Sequence, residues 1–588
     1  MTPKERRRLL VLSLGIVVLG ITEVAGVGII GPFISVATNP EIIHTNQYLQ
    51  FVYETLAFES ETSFVFFVGI VALIVIIVRN VVAVLVRYAE IRFGQMRNHS
   101  ISTRLLARYL ADPYIRFVDR NSSELGKNIL SEVGSVIRGY LIPLLESISK
   151  LVVVISIVTF LVIVEPRMAL ILASILVLVH GTVYLITRGP LFRVGKLRLE
   201  ANRQRYRVIS EVFGGIKDTK LMGKESVFLS EFKTPSKNLA RYRALKELFG
   251  AVPKYVLDTL VFTAIILVVL FYISGSNDLA GAVSIAGVYA LAGYRLMPAL
   301  DKLYKNLAKV RGSQPAVDLV YEQLVGGDPE PHLVPKKAPP RMPFERTIVL
   351  DNVSFSYPNS DTAVISGQTL QIDHNTTVGF VGPTGCGKTT TVDIILGLLT
   401  PQSGSLQIDG TVVTSENLRN WQANLGYVPQ HIYLSDDSIA RNIAFGVPPK
   451  DIDRDQVRAA AAIANLDSLI ENELPGGYDT VVGERGVRLS GGQRQRIGIA
   501  RAMYHQPSVL VLDEATSALD NVTEAQVMAA IDNLAHKKTI IIIAHRISTV
   551  MKCDVIFVLD KGRIIAQGNY DHLLRTSPEF VRLIEASG

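Results

Sequence analysis

Three short segments in the C-terminal part of the chain carry side chains fit for chemistry on phosphate. Gly382, Pro383, Thr384, Gly385, Cys386, Gly387, Lys388 and Thr389 follow the spacing G-x-x-x-x-G-K-T, and Thr390 comes next. Glycines at that spacing let backbone N–H groups close around phosphate oxygens, while Lys388 reaches the β and γ oxygens and the Thr389 hydroxyl coordinates magnesium. Ser490, Gly491, Gly492 and Gln493 open a helical pattern that runs to Met503. They offer a hydroxyl, bare amides and a positive helix end to one more anion, expected to be a γ-phosphate. Val509–Leu512 is a continuous apolar run that reads as a buried parallel strand. It carries Asp513 to the strand's carboxyl end, facing magnesium, with Glu514 beside the attacking water.

The elements that must position these groups alternate strand and helix signals after residue 345, with the P-loop following a strand, as in a doubly wound α/β core. The rest of the chain has a different solvent. Across 588 residues the hydrophobic fraction is 48% and the mean hydropathy +0.31, too apolar for an ordinary soluble protein. Apolar stretches at roughly 9–36, 63–87, 140–164, 168–188, 253–274 and 279–299 are each long enough to cross a hydrocarbon core of about 30 Å. Lys4, Arg6, Arg7 and Arg8 precede the first, which is too long for a signal peptide and lacks a small-residue cleavage site, so it reads as a transmembrane helix. A net charge of +7 without basic stretches interleaved with aromatics argues against nucleic acid as a partner. Cys386 and Cys553 are the two cysteines, which excludes a disulfide framework or a cysteine metal cluster. The expected organisation is an all-α six-helix transmembrane domain at 1–325, a Pro/Gly-rich linker at 326–344 and an α/β P-loop domain at 345–588.

In their order and spacing these motifs resemble the ABC transporter ATPases, in which the LSGGQ signature of one subunit closes over ATP held by the P-loop of another. The resemblance implies a homodimer with two sandwiched ATP molecules and Mg2+, and it extends to further residues. Tyr357 matches the aromatic that stacks on adenine, Gln430 the glutamine that touches magnesium and water, Asp520 the D-loop aspartate and His545 the switch histidine. Gly483–Gly486 matches the X-loop of exporter-type members. Some related half-transporters replace the glutamate, serine or histidine and hydrolyse poorly. Glu514, Ser490 and His545 are all present here, which implies two competent sites.

The connection at about 38–62 has Glu41, Glu54, Glu59 and Glu61 but no lysine or arginine, which places it outside by the positive-inside rule. Tyr48, Leu49, Phe51, Val52 and Leu56 recur there at helical spacing, fitting a short helix either on the outer membrane surface or against the protein. The basic connections at about 88–139 and 189–252 belong in the cytoplasm. Their breaks at Asp112-Pro113-Tyr114 and at 214–218 are expected docking turns on the ATPase, as in the exporter arrangement.

Charge within apolar helices is costly and usually functional, which singles out Arg79, Lys254 and Arg295, with Glu23 and Asp258 as acidic counterparts. Facing a shared cavity, such cations suit a phosphate or pyrophosphate. The alternative is that Lys254 snorkels to the interface while Arg79 or Arg295 pairs with Glu23 or Asp258. The segments 31–37, 46–49, 251–254 and 294–298 resemble the lipid-linked oligosaccharide flippases of bacterial protein N-glycosylation, with Lys254 in place of an arginine. That resemblance gives Arg79, Lys254 and Arg295 a pyrophosphate-facing role. It implies a multi-pass protein of the bacterial cytoplasmic membrane whose cargo is a polyprenyl-linked glycan. A multidrug or phospholipid exporter uses the same engine, and a nucleotide-gated channel is a third class, disfavoured by the complete hydrolytic set.

Overall fold

The computed structural model describes residues 3–29, 33, 36–37, 40–118, 122–164, 166–275, 279–325, 339–358, 360, 362–483, 486–514, 521–532, 534–544, 546 and 549–587. Within its helices the side chains of 264–295 and of scattered other residues lie outside the description. The chain divides into two compact units, one of Met1–Asp112 with Arg120–Leu333, the other of Pro113–Asp119 with Val334–Gly588.

The first unit is all helical. The six expected apolar stretches fall in the helices Pro3–Gly28, Glu61–Ala111, Ile142–Val164, Pro166–Gly214, Glu225–Gly275 and Leu279–Val325. Among the described residues, Pro3–Gly26, Glu61–Ala111 and Ser123–Thr159 are long and apolar enough to cross a bilayer. The first helix ends at Gly28, within the expected stretch 9–36, while Phe33, Val36 and Ala37 are again helical and Phe33 N donates to Ile29 O at 3.3 Å. Glu61–Ala111 has 51 residues, about 75 Å at 1.5 Å per residue, so it runs well beyond a hydrocarbon core. Ile142–Val164 is preceded by two π-helical segments, Asn128–Glu132 and Ile137–Leu141. In the second of these Gly139 lets the backbone approach the last helix closely, since a Cβ there would lie 2.2 Å from Ser313 Oγ. Apolar contacts tie the helices together: Leu12, Ile16 and Leu19 pack with Val86, Phe93 and Leu145, and Val153 and Ile157 with Leu296, Ala299 and Leu300.

The connection expected outside forms the short helices Ile42–Thr45 and Gln47–Thr55. Asn46 caps the second, its side-chain oxygen accepting from Tyr48 N and Leu49 N. Leu49 and Tyr53 pack on Ile43, Phe64 and Val68, while Tyr48, Phe51, Val52 and Leu56 are exposed. One face of the expected helix thus lies on the protein and the other remains apolar and open. Both breaks in the basic connections are present, with short helices at Ile115–Val118 and Ile216–Leu221.

The second unit is α/β. A four-stranded antiparallel sheet has the order β2-β1-β4-β5, from Thr347–Phe355 (β1), Ile365–Asp373 (β2), Ser403–Ile408 (β4) and Thr411–Val412 (β5). The six-stranded sheet has the order β10-β9-β3-β8-β7-β6. Its strands are Thr377–Val381 (β3), Leu425–Val428 (β6), Val509–Asp513 (β7), Thr539–Ile543 (β8), Val555–Asp560 (β9) and Arg563–Gly568 (β10). Strands β9, β3, β8, β7 and β6 are parallel, and β10 returns antiparallel to β9. Every residue of β7 and β8 is buried, which is why both read as continuous apolar runs rather than alternating ones. Met342 and Phe344, at the end of the Pro/Gly-rich stretch, are core residues here, and Asn424 Nδ2 donates to Met342 O at 2.8 Å. Ile115, just after the break at Asp112-Pro113-Tyr114, packs against the same core.

Candidate nucleotide site

Parallel order places the carboxyl ends of β3, β8, β7 and β6 side by side, and the chemistry-bearing residues follow those ends: the P-loop after Val381, Asp513 and Glu514 at the end of β7, Gln430 after Val428. His545, which follows β8 in sequence, and Asp520 lie outside the described residues, as do Glu484 and Arg485 of the expected X-loop.

In the P-loop, Gly382, Gly385 and Gly387 all have positive φ, and Gly387 is the N-cap of the helix Lys388–Ile395. A side chain at Gly382 would meet Leu559 O at 2.2 Å, whereas one at Gly385 would project into open space. That open concavity, lined by backbone amides at a helix start, fits a polyphosphate. Lys388 is buried and its ammonium donates to Gly382 O at 2.7 Å and Pro383 O at 3.1 Å, which holds it along the loop. Thr389 is exposed, whereas Thr390 is buried with its hydroxyl 3.3 Å from that of Tyr357. Tyr357 is itself braced edge-on by Phe355. Cys386 is buried, and burial pushes its thiol pKa up, opposed by the Lys388 ammonium. Pro383 and Thr384 are exposed at the loop's tip.

Asp513 is 7% exposed and accepts from Tyr427 Oη at 3.4 Å. Burial, then Asp513, pushes Asp393 up to about 6, and the same causes raise Tyr427. Asp513 and the exposed Thr389 hydroxyl are hard-oxygen donors of the kind that suits Mg2+. Gln430 Nε2 donates to Glu514 Oε2 at 2.7 Å. Glu514 itself sits in the left-handed region at φ +49°, a conformation that costs a non-glycine residue about 1–2 kcal/mol and is concentrated at functional sites. Sequence motifs pointed to Gln430 and Glu514 separately; their mutual bond, and the flanking Tyr427 and Asp393, had no local signal.

The signature segment builds the expected helix start. Ser490 is the N-cap of Gly491–Met503, its Oγ accepting from Gln493 N at 3.2 Å while Gln493 Oε1 accepts from Ser490 N at 2.8 Å. Leu489 belongs to one apolar core cluster of this unit and Cys386 of the P-loop to another.

Of the intramembrane cations, Arg79 forms an ion pair with Glu23 and donates to Asn80 Oδ1 at 2.6 Å. The pairing alternative therefore describes Arg79. Lys254 is exposed, and the Arg295 side chain lies outside the described residues.

Residues 365–517 match the family model "ABC transporter", and residues 9–294 match "ABC transporter transmembrane region". Over 482 residues, 80% of this chain and 78% of the relative, it is 30% identical to an ATP-dependent lipid A-core flippase of Cupriavidus metallidurans. The chain belongs to the ABC transporter family. Another ATP-dependent lipid A-core flippase, from Saccharophagus degradans, is 37% identical over 380 residues, which span 64% of this chain and 62% of the relative. A bacterial Atm1-family ABC exporter solved with ATP bound superposes with a TM-score of 0.77 at 24% identity, covering 99% of this chain and 98% of that one, and so shares the fold. This ABC transporter is an ATP-hydrolysing membrane protein in which a helical transmembrane region is followed by an α/β ATPase unit.

Proposed function

We propose that two copies of this ABC transporter form an exporter of the bacterial cytoplasmic membrane that uses ATP to move an anionic glycolipid outward. The preferred cargo is a polyprenyl-pyrophosphate-linked oligosaccharide. What supports an anionic lipid cargo is the likeness to ATP-dependent lipid A-core flippases, since the pair with Glu23 already accounts for Arg79. The names of the relatives support a second cargo of similar chemistry, the phosphorylated saccharolipid lipid A-core.

ATP supplies the phosphoryl group and Mg2+ neutralises its oxygens when bound. The residues of the chain then divide the remaining work. Lys388 would turn from Gly382 O and Pro383 O toward the phosphates, Thr389 and Asp513 would hold the cation, and Tyr357 would stack on the adenine. Ser490 and the amides of Gly491 and Gly492 close over the γ-phosphate from the other copy. Glu514 takes a proton from a water oriented by Gln430 and His545 as the water oxygen bonds to the γ-phosphorus and the bond to the β–γ bridging oxygen breaks, releasing ADP and phosphate. For that, Glu514 must trade its bond with Gln430 for one with water.

The test is ATPase turnover of the reconstituted full chain with and without a polyprenyl-pyrophosphate oligosaccharide, beside lipid A-core, in wild type and in Arg79→Ala/Arg295→Ala. Stimulation by the first lipid that the double variant loses is the expected result. Equal stimulation of both proteins, or none, overturns the pyrophosphate reading.

A further inference from the structure

Arg87 lies eight residues beyond Arg79 on the helix Glu61–Ala111, and Lys302 seven beyond Arg295 on Leu279–Val325. Seven or eight residues are two helical turns, so each pair shares a face, roughly 11–12 Å apart along the axis. Lys305 and Lys309 extend that face at i+3 and i+7 from Lys302, cytoplasmic to the expected span at 279–299.

A buried acidic layer holds these cations. Glu146 of the helix Ile142–Val164 has a side chain 8% exposed and accepts from Arg87, from Lys302 Nζ at 3.3 Å and from Asn306 Nδ2 at 3.0 Å. Glu90, 4% exposed, takes a second contact from Arg87 at 3.3 Å, and Asp301 accepts from Lys305 at 2.8 Å. The side chains of Arg87, Lys302 and Lys305 nevertheless remain 45%, 41% and 37% exposed, and Lys309 is exposed. Carboxylates therefore lie beneath and cationic heads above.

A purely structural network needs no such surplus. Arg87 bridges Glu146 and Glu90, and Asn306 shares the other oxygen of Glu146 with Lys302, so neither Lys305 nor Lys309 contacts the two buried carboxylates. Lys309 has no ion-pair partner among the described residues. Burial first, then the neighbouring cations, hold the Lys302 and Lys309 ammonium groups below their usual range, with Glu247 the acid that opposes this at Lys309. An added anion would relieve that crowding.

We propose that Arg87, Lys302, Lys305 and Lys309 form an anion-binding tier at the cytoplasmic mouth of the transmembrane unit. It takes a phosphate or pyrophosphate group two turns before the level of Arg79 and Arg295. The tier rests on the anionic-cargo reading for the lipid attached to that group, not for the site itself. Half-exposed ammonium groups on one stripe, flanked by a guanidinium, match the oxygens of a pyrophosphate, and their attraction weakens with salt.

The full chain in phosphatidylcholine nanodiscs, with ADP saturating the P-loops, provides the test. Labelled inorganic pyrophosphate and a polyprenyl pyrophosphate are titrated against wild type, Lys302→Gln/Lys305→Gln/Lys309→Gln and the matching triple arginine variant. Binding of both probes should weaken at least tenfold in the glutamine variant and return to within threefold of wild type in the arginine variant. Unchanged ADP affinity and size-exclusion elution exclude misfolding as the cause. Binding by the glutamine variant equal to wild type overturns the tier. If the tier binds inorganic pyrophosphate while the lipid neither binds nor stimulates ATPase, the tier stands and the lipid cargo falls. If the lipid stimulates wild type and glutamine variant equally, the cargo stands and the tier falls.

Discussion

Glu514→Gln separates base chemistry from geometry, because the replacement keeps an acceptor for Gln430 on a side chain of the same size. Glu514 Oε2 accepts from Gln430 Nε2 at 2.7 Å, and a glutamine at 514 retains an amide oxygen for the same donor. A charge-assisted bond of about 1.5–3 kcal/mol becomes a neutral one of about 0.5–1.5 kcal/mol, and exposure of the pair reduces the difference to roughly 1 kcal/mol or less. The left-handed backbone at φ +49° costs glutamine as much as glutamate, so it cancels. Stability and ATP affinity should therefore change little. Turnover should fall by the contribution of a positioned general base, about 10²–10⁴-fold, or roughly 3–5 kcal/mol of barrier. Phosphate release from the reconstituted protein at saturating MgATP measures the loss, and equilibrium ATP binding measures the control. Turnover within tenfold of wild type refutes Glu514 as the base. A parallel loss of ATP affinity refutes the claim that geometry is kept. Gln430→Ala, which deletes the donor but leaves the carboxylate, should cost less turnover than Glu514→Gln.

Three further substitutions probe other parts of the chain. Ser490→Ala removes an N-cap that accepts from Gln493 N, at a cost of about 1 kcal/mol to the helix, and should lower turnover far more than it lowers the unfolding temperature; proportionate losses would make Ser490 a cap alone. Gly382→Ala drives a methyl to 2.2 Å from Leu559 O at φ +152°, so loss of ATP binding together with destabilisation of more than about 3 kcal/mol is expected, and a stable, ATP-binding variant would contradict the loop geometry. Lys246, bonded to Ser313 Oγ at 2.8 Å and cytoplasmic to the expected span at 253–274, is lowered by burial, then by Arg198 and Lys309, to about 8. Its unfolded form binds more protons between pH 8 and 10.5, so stability should rise with pH through that window. Lys246→Met should remove that rise and stabilise the protein at pH 7 by roughly 1–3 kcal/mol, read from thermal unfolding across pH.

The legible parts of this protein are those whose physics is local in the chain. A P-loop is one turn of backbone before a helix, so glycines at fixed spacing and a lysine specify it without reference to any other segment. Ser490 and Gln493 cap their own helix, and Val509–Asp513 is apolar throughout because both faces of a central parallel strand are covered. Six apolar stretches were likewise readable because lipid imposes a length and a composition on each helix separately. The end of the first helix was not readable from apolarity alone, since the stretch stays apolar past Gly28.

Tertiary structure decided which charge meets which. Arg79 read equally well as a cavity cation or as half of a pair until helix packing set it against Glu23, 56 residues away. Glu146 carries no signal in its own segment, yet it binds Arg87, 59 residues earlier, and Asn306, 160 later. Gln430 and Glu514 meet across 84 residues because β6 and β7 are adjacent in the sheet. Burying a carboxylate is tolerable only where partners converge on it, and that convergence is a property of packed helices and strand order rather than of any stretch of sequence.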